Sequence, residues 1–558
     1  MKIVAQDLDS PSRPTPLPQQ NSLRPRRRPL ALALRARAAT ILLVGGLISL
    51  SFALGALAQA QGLVRSARRA AENPRFEIAA ALQRSRLPTL YLDVEFQDAQ
   101  RLWADHQNAA ATGVHVVPNA LARPNDAVTA TVRLGNQVFP VQINLPSGLY
   151  TSGAWAFEII TQDERGLFGT HHVWLYGAAS HRALSQWGLS QSLKREGILA
   201  ASVQPVQVIL NGDALGVYGA WTAPDEIFAQ SRSPCGLVYF DQTLYWQDLR
   251  RQQESGPAPT AINLSDCQVA TVAAWGSVMP NTADKAAVSR LRDLQTGARK
   301  PSDVLDVEQM GTLLALTTLW QGTPLSDWTS LMFYLDASTD RLRPAAPANL
   351  ISASDNNLLN WPSCFDDPLV QAAYSRAVER ISRPEYLDRL RAALGDFEQM
   401  QLAFGAQDGK PELTWDELAV RQKRMARWLE PTQTVLASWV LPPAAPLTPS
   451  STLSVSLSNL QRVPVEVLGF DVGKSTFLPI DPAWIQAGSD LIVSESKGNV
   501  VLRAVGEGRL HSLQLSVPYT AVFAAARARD ETVEMQVVTR VWGLERRQSA
   551  PMQQLSGE

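Results

Sequence analysis

Val203-Gln-Pro-Val-Gln-Val-Ile-Leu-Asn-Gly-Asp-Ala-Leu-Gly-Val-Tyr218 is the stretch on which the fold turns. Two apolar runs, 203–210 and 215–218, flank Asn211-Gly212, a pair suited to the left-handed conformations of a tight hairpin turn. Upstream, Thr89-Leu-Tyr-Leu-Asp-Val-Glu-Phe96 alternates apolar and polar residues, as a half-buried strand does. Strands are also expected at 127–134 and 138–145, around Gly135-Asn136, and at 155–161 and 172–176. Helices are expected at 99–110, with Leu102 and Trp103 on one face behind Asp98, at 181–196, and in a short segment from Pro224 to Gln230. Beyond these lie helices at 303–319, 367–404 with a break at Pro384, and 415–428. Strands first and helices after is the order of an α+β domain.

Residues 242–300 have little strand character and read as an insertion. Leu441-Pro-Pro-Ala-Ala-Pro-Leu-Thr-Pro-Ser-Ser451 reads as a Pro-rich linker that closes a domain at 89–440. After it, short strands spaced by turns at 452–558 suggest a small all-β sandwich. Cys235 and Cys267 can pair across the insertion in an oxidising compartment, with Cys364 left alone; three buried thiols are the other reading.

The chain has 558 residues, 45% hydrophobic and 18% charged, enough for a sizeable core, which excludes disordered, collagenous and coiled-coil readings of the bulk. A formal net charge of −1 argues against a dedicated nucleic-acid binder. The charge is unevenly placed. Residues 1–37 form a basic tail, poor in large apolar side chains and expected to be disordered, with eight Lys/Arg against Asp7 and Asp9. Residues 38–64 carry no charged side chain and are long enough for a transmembrane helix. Residues 65–88 then read as a helical neck complicated by Pro74. The basic excess lies upstream, so the N-terminus is expected in the cytoplasm and the body in the periplasm or outside the cell. The implied setting is a bacterial inner membrane, single-pass. A signal peptide cleaved after Ala58 is the alternative, but the tail and apolar run are both long for one.

Catalytic motifs are scarce. No GxSxG elbow, phosphate loop or HExxH occurs. The three cysteines form no CxxC or Cys/His cluster, so no structural zinc site is expected. His171-His172 lies near His181, but adjacent residues of a strand point to opposite faces and chelate one ion poorly. Most of the 15 Trp should be core, and any that are exposed would suit stacking on sugars.

Residues 89–350 resemble the spore coat protein H (CotH) family, atypical secreted kinases of diverged kinase-like fold. The resemblance rests on Phe157-Glu-Ile-Ile160, Gly166-Leu-Phe-Gly169, the helix leading to Glu196-Gly-Ile198, Val206-Gln-Val-Ile-Leu-Asn-Gly212 and Gly216-Val-Tyr218. Phe333-Tyr-Leu-Asp336 and Asp340-Arg-Leu-Arg-Pro344 follow in the family's order. It implies a CotH-like α+β domain between a transmembrane helix and the β-sandwich. The catalytic equipment it implies is eroded. Glu158 and Ile160 stand where active members carry a basic residue, Trp221 or Thr222 where they carry Glu, Ser330 where they often carry Asn, and Ala348 at the metal-holding acid. Asp225 and Glu226 are the candidates to replace a lost carboxylate. The expectation is a pseudokinase without cofactor or metal, binding or scaffolding an envelope protein partner at the inner membrane. One alternative is an active kinase using ATP and Mg; another is a carbohydrate-binding accessory of polysaccharide export.

Overall fold

The computed structural model describes residues 74–555 apart from 113, 116–126, 147, 150–153, 162, 179–181, 231–236, 242–266, 273–281, 322–330, 348–366, 408–409, 431–433, 441–450, 474–475, 488, 490, 495–498, 504–511 and 523–533. Contacts divide the chain into Met1–Ala71 and Glu72–Glu558, and every described residue lies in the second unit.

Pro74 opens a helix rather than interrupting one: its fixed φ and missing N–H suit the first turn of α1 (Pro74–Arg84). The chain continues through β1 (Thr89–Val94), α2 (Phe96–Thr112), β2 (Val128–Leu134), β3 (Gln137–Asn144), β4 (Ala156–Thr161) and β5 (His172–Gly177). Then come α3 (Ala183–Arg195), β6 (Val203–Leu210), β7 (Asp213–Thr222) and α4 (Pro224–Gln230). The seven strands close into a barrel in the order β1-β2-β3-β4-β5-β7-β6. Neighbours are antiparallel except β1 and β6, which pair in parallel from Thr89↔Gln207 to Leu92↔Leu210. Alternation sends Leu90, Leu92, Val132, Phe139, Phe157 and Val208 into a filled interior. Each contributes about 1.5–3 kcal/mol by leaving water.

Asn211 and Gly212 both have positive φ, 48° and 93°, and make the β6–β7 turn. The Asn211 side chain reaches further: Val94 N donates to its Oδ1 at 2.7 Å, and its Nδ2 donates to the Val94 carbonyl at 3.0 Å. A carboxamide thus extends the β1–β6 ladder past the point where β6 turns away.

A second sheet of five strands runs in the order β9 (Gln268–Val272), β8 (Leu237–Asp241), β10 (Met332–Asp336), β11 (Arg341–Ala346) and the short Leu199–Ala200, which joins α3 to β6. Around it lie α5 (Thr282–Thr296), α6 (Val307–Gln321), α7 (Pro368–Ser382), α8 (Pro384–Ala393), α9 (Phe397–Phe404) and α10 (Trp415–Leu429). Helix α6 is apolar on every side and buried from Met310 to Trp320 except Thr312, as a central core helix must be. Its neighbours come close where side chains vanish. A Cβ at Gly311 would lie 2.5 Å from the Ala373 carbonyl carbon of α7, and one at Gly188 of α3 would lie 2.1 Å from the Trp320 ring.

Charged side chains satisfy two helix ends in this core. Arg182 precedes α3 in a left-handed conformation without a capping side chain, and the Glu412 carboxylate takes that role. It accepts from Leu184 N at 3.0 Å, Ser185 N at 3.1 Å and Ser185 Oγ at 2.6 Å. Burial lifts its pKa above the ordinary value despite these bonds. At the other polarity, Arg421 donates to the carbonyls of Leu319 and Trp320 near the end of α6.

The C-terminal strands form two facing sheets around their own core. In the first, β12 (Val435–Val440) pairs with β13 (Thr452–Asn459), between β18 (Ser512–Pro518) and β21 (Gln553–Leu555). In the second, β14 (Val465–Val472) is central, with β15 (Thr476–Pro479), β16 (Leu491–Ser494), β17 (Asn499–Leu502), β19 (Met535–Val541) and β20 (Arg547–Pro551).

The expected architecture is corrected in three places. The expected kinase-like domain is a closed seven-stranded barrel beside a separate five-stranded sheet with its helices. Among the described residues no helix is long and apolar enough to cross a membrane. The span expected at 38–64 lies outside the described residues. Nor does the Pro-rich 441–451 mark a domain boundary. It joins β12 to β13, paired from Val435↔Asn459 to Val440↔Ser454. The sandwich therefore begins at Val435, and it is fastened to the helices. Trp542 Nε1 donates to the Pro368 carbonyl at 2.5 Å, Gln548 Nε2 to the Leu429 carbonyl at 2.7 Å, and Trp542 packs with Ala372 and Val501.

Proteolytic nicking within 441–450 should therefore leave one particle. The β12 ladder and the Trp542 contact hold the halves together, so the nicked protein is expected to run as a single species by gel filtration. Two separable folded fragments would refute this arrangement.

Candidate functional site

β4 turns Phe157 and Ile159 inward, leaving Glu158 and Ile160 half-buried on the outer face. β5 does the same with His172 and Trp174 on either side of Val173. The register sets Ile160 opposite His172 and Glu158 opposite Trp174, so Glu158 and His172 are diagonal neighbours on one face. β7 ends beside them, with Thr222 opposite Val173 and Ala223 N donating to the His172 carbonyl at 3.2 Å. Pro224 then opens α4, which places Asp225 and Glu226 in its first turn, where carboxylates are favoured by the helix dipole.

The result is a carboxylate–histidine–carboxylate bridge. His172 Nε2 lies 2.9 Å from Glu158 Oε1, and Nδ1 lies 2.9 Å from both Asp225 oxygens. Trp174 Nε1 donates to Glu158 Oε1 at 3.4 Å, and Glu226 N donates to Asp225 Oδ1 at 3.0 Å. Glu226, 6% exposed, accepts from His171 N at 2.7 Å. Burial alone would lower the His172 pKa, but the hydrogen bonds to Asp225 and Glu158 outweigh it and raise the value to about 9. Burial likewise works to raise Glu158, and the bonds from His172, Trp174 and Asn144 bring it below its ordinary value. At neutral pH the ring is an imidazolium donating from both nitrogens.

This geometry gives the sequence candidates different roles from those expected. Asp225 and Glu226 are brought together, but each is committed to β5, one through the His172 ring and one through the His171 backbone. Glu158, which stands where the resemblance puts a basic residue, is balanced by His172. The two adjacent histidines do diverge: only the His172 ring joins Glu158 and Asp225. With both nitrogens donating, His172 offers no lone pair to a metal or a proton. Among the described residues no group of three or more His, Cys, Asp or Glu is arranged to hold a metal ion. Trp221 and Thr222 are buried at the end of β7. His181, Ser330, Ala348, Cys235 and Cys364 lie outside the described residues, and Cys267 is buried.

The bridge was missed in the sequence because its three members come from β4, β5 and α4. The available signal was the register: Glu158 and His172 fall on the same outward phase of two successive strands. The tryptophans divide as their bulk predicts, with Trp187, Trp221, Trp320, Trp415, Trp428, Trp439 and Trp542 buried. Among the described residues Trp174 and Trp484 are half-buried, and Trp103 on α2 is 49% exposed. Its ring stands edge-on to Trp155 (5.3 Å, 89°), which stacks on His106 (3.9 Å, 12°) and on Phe157 (5.5 Å, 8°), an aromatic column running out of the barrel core.

No protein-family model matches the chain, and comparison with curated proteins found no match.

The raised His172 value makes stability depend on pH. The folded state holds the proton more tightly than the unfolded chain, so the bridge contributes fully below the ordinary 6.5 and fades as pH rises through about 9. The difference is on the order of 3 kcal/mol. Glu158, shifted the other way, loses its contribution as pH falls through its folded value. Urea midpoints are expected to fall for the wild type between these alkaline limits. They should stay lower and flatter for His172→Gln. Parallel curves would show that His172 does not bridge the two carboxylates.

Proposed function

We propose that this protein is a non-catalytic binding or scaffolding component of a bacterial envelope assembly. It is placed at the inner membrane with Glu72–Glu558 on the extracytoplasmic side, a location supported by the uncharged 38–64 behind its basic tail. The observation that carries the non-catalytic reading is the engagement of Asp225 and Glu226. Phosphoryl transfer needs carboxylates free to hold magnesium and cations to hold phosphates. Here the two nominated carboxylates fix α4 against β5, and the nearest cation, His172, lies between them and Glu158.

A carbohydrate-binding role is the second reading, favoured by Trp103. An exposed ring held in place by its neighbours loses little freedom on stacking against a sugar face.

The full chain with magnesium and ATP is expected to show no thermal shift and no phosphate transfer to envelope extract. Incorporation that disappears in Asp225→Asn would establish the kinase reading instead. Binding of neutral hexasaccharides that is lost in Trp103→Ala would establish the second.

A further inference from the structure

Helix α1 packs one side on the folded body and leaves aliphatic side chains exposed on the other. Its inner side carries Phe76, Ala80 and Gln83 and packs against α9, with Ala80 wholly buried. The Arg84 carbonyl at its end accepts from Gln207 Nε2 of β6 at 2.6 Å, so the helix is part of the folded body. Its outer side carries Arg75, Ile78, Ala81 and Leu82, spaced as one face of a 3.6-residue helix, and Ser85 and Arg86 follow in the turn after its last residue, all six exposed. Ile78 is 62% and Leu82 59% exposed. Arg75 and Arg86 flank the pair and have no acidic partner among the described residues. Two adjacent exposed aliphatics between two arginines suit a boundary between apolar and anionic surroundings.

The sequence upstream indicates what covers this face. Only nine residues lie between Val64, the last of the uncharged run, and Pro74. That is at most about 35 Å of extended chain, and Arg65, Arg68 and Arg69 lie within it. We propose that the outer face of α1 rests on an anionic phospholipid surface, with Ile78 and Leu82 entering the boundary of the acyl chains and Arg75 and Arg86 meeting headgroup phosphates. This rests on the membrane location proposed above and adds to it that the folded body lies against the bilayer in one orientation, instead of hanging from a tether.

The test is photocrosslinking of the full chain. Photoreactive p-benzoylphenylalanine is placed singly at Ile48, Ile78, Leu82 or Val420 (58% exposed on α10) in vesicles of phosphatidylethanolamine and phosphatidylglycerol. Lipid adducts are expected at the first three positions and not at Val420. In the Arg75→Glu, Arg86→Glu double variant, and in phosphatidylcholine alone, adducts at Ile78 and Leu82 should fall several-fold while those at Ile48 persist. Adducts at Ile48 without adducts at Ile78 or Leu82 would overturn this inference and leave the membrane location standing. Absence at Ile48 would overturn the membrane location and this inference with it. Protein–protein adducts at Ile78 would give the face to a second copy of the chain, and labelling at Val420 equal to that at Ile78 would show that the body has no fixed face to the lipid. Either result overturns the proposal.

Discussion

β1 meets β6 in parallel, Thr89 through Leu92 against Gln207 through Leu210, and the Asn211 carboxamide continues that ladder to Val94. Without the pairing, seven strands would form an open sheet with β1 and β6 as unpaired edges, a standing risk of association with other chains. With it the edges vanish, and Leu90, Leu92, Val206 and Val208 become wholly or almost wholly buried. Much else follows from the closure. The outer faces of β4 and β5 are placed to receive α4, and α1 gains in Gln207 of β6 a donor to the carbonyl of its last residue, Arg84.

The remainder of the body is organised by α6, whose surroundings are set by absence as much as by bulk. Gly188 leaves room for Trp320, whose Nε1 donates to Ser192 Oγ at 2.9 Å, and Gly311 lets α7 approach backbone to backbone. Several buried or half-buried charges sit at helix ends. Glu412 satisfies the start of α3, Arg421 the end of α6, and Asp367 caps α7 while also accepting from Ser302 N at 3.1 Å. Each spares backbone groups that burial would otherwise leave unsatisfied at about 1–3 kcal/mol apiece. The Glu158–His172–Asp225 bridge belongs with them: charges that water does not solvate are balanced by one another.

Local physics made much of this legible in the sequence. Alternation marked β1, Gly135-Asn136 and Asn211-Gly212 marked the hairpins of β2 with β3 and of β6 with β7, and Pro384 divided α7 from α8, because each signal acts within a few residues. What joins distant residues was not legible. Nothing near Thr89 announces Gln207, and the bond between Val94 and Asn211 spans 117 residues. Pro-rich composition marked 441–451 as a break in regular structure, but it carries no information about whether the flanking strands then pair with each other. For the candidate site, the individual acids were readable and their engagement was not, since a carboxylate's availability depends on its neighbours in space.

Leu199–Ala200 lies between α3 and β6, yet it pairs in parallel with Ala345 and Ala346 of β11. The edge of the second sheet is thus carried by the barrel's own connecting segment. During synthesis the residues that complete the barrel emerge well before β8, β10 and β11 do. A closed barrel would therefore present Leu199–Ala200 as a ready template, and the later strands would add to it in turn. Such an order confines the costly long-range loop closures to one early event, with each later strand joining a surface already formed. It also predicts where a slow step in biogenesis would sit: at the moment β6 finds β1, before which the second sheet lacks the edge on which it is built.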